Sequence, residues 1–162
     1  MTTPRDIANT WLRSILATAW AEDVVYVGVF LSPMDRLRLL RRYGQAHPEL
    51  HAHHMTLWFH ADGETEKPDF TRLPWGRDVI LKVVGYVEDD KAQAVVVAPP
   101  TILRPASRVP HITVSTVPGV TPAYSNDMIR RAWGGEPERG APGVKGKLGW
   151  YGADGKVRLT AT

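Results

Sequence analysis

Two tripeptides carry residue types that could do chemistry together: His54-Met55-Thr56 and His111-Ile112-Thr113. In an extended strand, residues i and i+2 share a face about 7 Å apart along the chain, so each tripeptide presents an imidazole and a hydroxyl in one direction. If the two strands lie side by side, four groups converge. Two imidazoles flanking a phosphodiester can act as an acid–base pair: a neutral ring removes a proton from the nucleophile while an imidazolium protonates the leaving oxygen. Histidine suits both roles because its unperturbed pKa of about 6.5 lies near neutrality. The hydroxyls of Thr56 and Thr113 can donate to non-bridging phosphate oxygens and stabilise the charge that builds there. Chemistry of this kind calls for no metal and no cofactor. One His-x-Thr in a strand is common by chance, whereas two copies on β-patterned segments with matching polar faces single the pair out.

Other residues could complete such a site. Strand alternation puts Trp58 and His60 on the face of His54, and the Trp58 indole could stack on a base or simply fill the core. Ser115 could extend the row of phosphate contacts or serve as a structural hydroxyl. Trp150 and Tyr151 precede the last turn and could overhang the cleft, with Lys145 and Lys147 reaching phosphate. Tyr26 could face the groove or the core, since its strand is apolar on both sides. His51 and His53 flank His54, but neighbours at i+1 share no face and no cysteine or carboxylate motif accompanies them, so no metal site is expected.

The elements that must position these groups can be read from periodicity. Ile7, Trp11, Ile15, Leu16 and Ala19 predict an amphipathic helix over 5–20. The run 24–31 predicts a strand, and Ser32-Pro33 predicts the N-cap and first position of a helix through Tyr43 that stops at Gly44. Further strands are expected at 54–60, 78–88, 93–98 and 111–117, the middle pair forming a hairpin around Asp89-Asp90-Lys91. A helix is expected over 122–133, capped by Ser125 or Asn126. A loop over 134–146 then leads to a closing hairpin, 148–151 with 156–159. Strands mixed with a few helices and antiparallel hairpins argue for an α+β fold rather than a doubly wound parallel sheet.

Composition narrows the class. The 162 residues are 43% hydrophobic and 23% charged, ordinary for a globular protein, and fit a single domain over 1–162. With no cysteine, disulfides and thiolate chemistry are excluded. No apolar run approaches the roughly 20 residues of a membrane helix, and the start lacks a signal-peptide core, so a cytoplasmic protein is expected. A net charge of +3 and a pI near 9.3 favour an anionic partner such as a nucleotide or RNA end. The basic residues Arg36, Arg38, Arg41, Arg42, Arg130 and Arg131 can equally be a solvated helix face.

The doubled motif, its hydrophobic flanks and the stretch Pro110-His-Ile-Thr-Val-Ser-Thr-Val-Pro-Gly-Val-Thr-Pro-Ala-Tyr-Ser-Asn126 resemble the two-histidine (2H) phosphoesterase superfamily. That superfamily includes bacterial RNA 2',3'-cyclic phosphodiesterases, the cyclic phosphodiesterase domain of tRNA ligases, and phage enzymes that degrade cyclic oligonucleotide immune signals. The second motif and the segment after it look most like the tRNA-ligase type. The resemblance implies a two-lobed α+β fold, with antiparallel sheets around a central cleft and helices outside, and it implies that His54, Thr56, His111 and Thr113 are catalytic. Its expected activity is metal-independent hydrolysis of a cyclic phosphodiester, on an RNA 2',3'-cyclic phosphate end or a cyclic nucleotide. The alternatives are a phage-type enzyme acting on cyclic oligonucleotide signals and a non-catalytic RNA- or nucleotide-binding module.

Overall fold

The computed structural model describes residues 3, 4, 23–60, 69–105, 108–135 and 138–160; the helix predicted over 5–20 lies outside the described residues. The first strand, β1 (Val24–Leu31), is a run of β-branched, aromatic and aliphatic residues suited to extended backbone. It ends where Ser32 starts a helix. The Ser32 hydroxyl accepts from the Asp35 amide at 3.2 Å and donates to the Asp35 carboxylate at 2.6 Å. Pro33 takes the first position of α1 (Pro33–Tyr43), where its missing amide costs nothing, and the helix stops at Gly44, whose φ of 69° disfavours a side chain.

The remaining elements are β2 (Glu49–Leu50), β3 (His54–Phe59), β4 (Asp78–Glu88), β5 (Ala92–Ala98), a 3-10 turn over Thr101–Leu103, β6 (His111–Thr116), α2 (Tyr124–Ala132), β7 (Gly143–Gly152) and β8 (Val157–Arg158). Every strand pairing is antiparallel, and six strands close into a ring in the order β1-β3-β6-β5-β4-β7, because β1 also pairs with β7. The antiparallel strands and the α+β content match the expectation. Instead of two sheets facing across a groove, the strands close on one another, which leaves no unpaired edge in the ring. Strand β7 begins well before the expected closing hairpin because Gly143–Gly146 pairs with β4.

Each ring strand sends residues to one buried cluster, among them Val27, Met55, Ile112, Val95, Leu81 and Leu148. This is the barrel interior. On the opposite face of β5, Ala92, Ala94 and Val96 pack with Met128 and Ile129 of α2. Strand β5 is therefore apolar on both sides, with the barrel core under one and a helix over the other. Helix α2 is also tied to the β4–β5 turn, where the Tyr124 hydroxyl donates to Asp89 at 2.5 Å. Among the described residues, no helix is long and apolar enough to cross a membrane.

Candidate active site

Strands β3 and β6 are ring neighbours, paired with Met55 opposite Ile112. In that antiparallel register His54 stands across from Thr113, and Thr56 across from His111, so the two histidines lie on a diagonal about a local twofold axis. Such diagonal neighbours are about 7–8 Å apart, wide enough to take a phosphate between the rings. Met55 and Ile112 are fully buried in the barrel, which turns all four polar side chains to the other face. There His54, Thr56, His111 and Thr113 line one cavity of about 370 Å³.

The local symmetry continues one residue further. The β1–β3 pairing skips Leu57, and the β5–β6 pairing skips Val114, so each strand bulges immediately after its threonine. A bulge reverses which face the following residues occupy. This corrects two expectations. Trp58 does not continue the catalytic face: it lies opposite Val27 in the core, 2% exposed, and Phe59 lines the cavity in its place. Ser115 is likewise turned away and fully buried, donating to Gln93 at 2.6 Å and accepting from the His47 amide at 3.1 Å. It is a structural hydroxyl.

His54 sits in a column of rings. Tyr26 stacks on it with centroids 4.6 Å apart, Tyr151 stacks on the far side of Tyr26 at 5.0 Å, and His53 stacks on the other face of His54 at 4.7 Å. The two Nδ1 atoms of His53 and His54 share a hydrogen bond of 2.6 Å, leaving Nε2 of His54 as its free ring nitrogen among the described residues. Burial in this column lowers the His54 pKa to about 3, with the positive charge that His53, His111 and His51 can carry adding to the shift. Burial, then Tyr151, pushes the Tyr26 phenol up to about 12, so it stays neutral.

His111 is held differently. Its Nδ1 lies 2.9 Å from the Val109 carbonyl, which can only accept, so Nδ1 carries a proton and neutral His111 presents a bare Nε2. Burial lowers its pKa, the Val109 carbonyl opposes that shift by favouring the charged form, and Arg108 lowers it further. Both histidines are thus depressed below the ordinary value, and the cavity without an anion favours two neutral imidazoles. The Thr113 hydroxyl is 2.9 Å from that of Ser125, which joins β6 to the start of α2. Neither Ser125 nor Asn126 caps that helix: Ala123 occupies the N-cap without a side-chain bond.

The other expected contacts divide. Tyr26 lines the cavity, and Tyr151 backs it from the second layer. Trp150 does not overhang: it stands opposite Val27, 4% exposed, and its indole donates to the Thr160 carbonyl at 2.8 Å. Lys147 is spent on Asp78 at 3.0 Å, across the β4–β7 pair, and does not reach the cavity.

Sequence reasoning also missed residues. His51 and His53 line the cavity although neither shares a strand face with His54. The strand begins only at His54, and Ala52 just before it has a φ of 53°, a left-handed kink that brings both neighbours round. Arg36 holds the kink, its guanidinium donating to the carbonyls of His51 at 2.9 Å and Ala52 at 3.1 Å. This arginine is therefore not merely part of a solvated face. No periodicity signal could have found a non-glycine residue at positive φ.

A family model described as the fungal tRNA ligase phosphodiesterase domain matches residues 38–147, two thirds of the chain and both His-x-Thr tripeptides. The chain belongs to that family. The tRNA ligase phosphodiesterase domains are thus the relatives on which its sequence resemblance converges. A solved structure titled as a fungal RNA kinase is similar in fold, with a TM-score of 0.52 at 16% identity, over 77% of this chain and 41% of that one. The chain thus spans about two fifths of that structure's length. No curated protein matches.

Proposed function

We propose that this member of the tRNA ligase phosphodiesterase domain family is a metal-independent enzyme that opens a cyclic phosphodiester, with an RNA end bearing a 2',3'-cyclic phosphate as its substrate class. The observation that supports this reading is the convergence of His54, Thr56, His111 and Thr113 on one cavity. The twofold relation that a two-lobed fold implies has local support in the Met55–Ile112 pair and the matched bulges after each threonine.

In the reaction, water attacks phosphorus as a neutral imidazole takes its proton. The bond from phosphorus to one ribose oxygen breaks, and the imidazolium of the other histidine protonates that oxygen. The pair must hold one proton, and the bound phosphate's negative charge supplies the field that raises a histidine pKa from its depressed value. Thr56 can donate to a phosphate oxygen, since its hydroxyl has no hydrogen-bond partner among the described residues. Thr113 can do so by giving up its 3.3 Å hydrogen bond to the Pro122 carbonyl while accepting from Ser125.

The test is turnover of a chromatographically resolved panel containing 2',3'-cyclic ends and cyclic di- and trinucleotides. His54→Ala and His111→Ala should each lose about 10²- to 10⁴-fold, and EDTA should change nothing. Full activity in either variant would sink the proposal. A 2'-phosphate product from a 2',3'-cyclic end supports the tRNA-ligase-like specificity, and linear products from cyclic oligonucleotides alone would reassign the substrate.

A further inference from the structure

A second cavity adjoins the first. It measures about 220 Å³ and is lined by Val84 and Val96 on β4 and β5, by Arg104 and Val109, and by Trp133 just after α2. Arg108 lines both cavities, so the segment 108–110 is the wall between them. That wall also carries the Val109 carbonyl that sets the His111 tautomer.

Size decides how this space should be read. Independent small-molecule sites run from about 300 Å³ upward, and a space of this volume is too small for one but suits an annex to the larger cavity. Its chemistry is specific. The Trp133 ring forms one wall, seated against Gly85, where any Cβ would lie 2.4 Å from the indole Nε1. The valines give apolar walls, and the cationic residues Arg104 and Arg108 line the same space. An aromatic platform beside cationic side chains is how single-stranded nucleic acid is gripped without base-specific contacts: a base stacks and the backbone phosphate meets the charge.

We infer that this annex binds the nucleotide immediately 5' of the reacting terminus, with Arg108 facing the phosphate that joins the two nucleotides. The inference rests on the proposed phosphodiesterase reading and deepens it by giving the second nucleotide of the RNA end its own place. The base of the penultimate nucleotide lies against Trp133, and its identity matters little because every base has a stacking face.

The test is titration calorimetry of the whole chain with adenosine 2'-phosphate and with an ApA dinucleotide carrying the same terminal 2'-phosphate. The dinucleotide should bind about tenfold or more tightly. In Arg108→Gln, which removes the charge facing the phosphate, and in Trp133→Leu, which removes the stacking face, that ratio should fall towards one. A wild-type ratio near one would overturn the inference, and so would a ratio unchanged in both variants. Turnover is read separately on the matching 2',3'-cyclic mono- and dinucleotide. If neither is hydrolysed but the affinity ratio holds, the annex stands and the catalytic reading fails.

Discussion

The depressed pKa of His54 makes the site's geometry measurable through folding stability. In the folded chain this imidazole titrates at about 3, against 6.5 when unfolded. Between those values the unfolded chain binds a proton that the folded chain refuses. Its contribution to stability is therefore complete above pH 6.5 and is lost as pH falls towards 3. At pH 5 the loss from this one residue is about 2 kcal/mol relative to pH 8, since the unfolded imidazole is then about 30 times more often protonated than neutral while the folded one stays neutral. The figure barely changes if the folded pKa is a unit higher, because the unfolded pKa sets it. Acidic residues with lowered pKa values, such as Asp35 and Asp89, lose their stabilisation at lower pH, so the window from 8 to 5 reports mainly histidines. Urea unfolding of wild type and His54→Gln at both pH values measures the difference. Wild type should lose about 2 kcal/mol more than the variant over this interval. Equal losses would show that His54 is not held neutral in a buried ring column, and the electrostatic argument for the site would fail.

Other consequences of the geometry can be checked directly. Binding of a nucleoside 2'-phosphate near pH 7 should take up close to one proton, read from calorimetric heats in buffers of different ionisation enthalpy, and affinity should rise from pH 8 to 6; binding without uptake would mean the anion does not sit between the histidines. Gly28→Ala places a Cβ 2.4 Å from the Met55 carbonyl oxygen behind the first motif, and should destabilise by about 1–3 kcal/mol in urea melts. Ser125→Ala removes one of the two partners of Thr113 and should cost about 1 kcal/mol in stability while lowering kcat, because the threonine hydroxyl is then held by the Pro122 carbonyl alone, away from the phosphate. Tyr26→Phe should keep most activity, the ring being what stacks on His54, whereas Tyr26→Ala should shift the acid limb of the pH–rate profile upward by exposing that imidazole.

Local sequence pattern determines much of this protein. The two His-x-Thr tripeptides, the Ser32-Pro33 helix start, the stop at Gly44 and the β4–β5 hairpin all follow from residue types a few positions apart, and the structure reproduces them. That His54 and Thr56, or His111 and Thr113, share a face follows from the two-residue period of a strand. Where that period is interrupted, sequence alone is blind: the bulges at Leu57 and Val114 send Trp58 and Ser115 inward and bring Phe59 to the cavity, although the alternation reads otherwise. The left-handed Ala52, which recruits His51 and His53, is set by Arg36 from a distant helix and not by alanine's own preference. Closure of the ring depends on β1 pairing with β3, about thirty residues away, and with β7, more than a hundred residues away. The same closure draws Trp150 into the core and leaves Lys147 to Asp78. Short-range periodicity thus chose the chemistry, while backbone irregularities and long-range pairing chose which neighbours surround it, because those depend on partners that no local window contains.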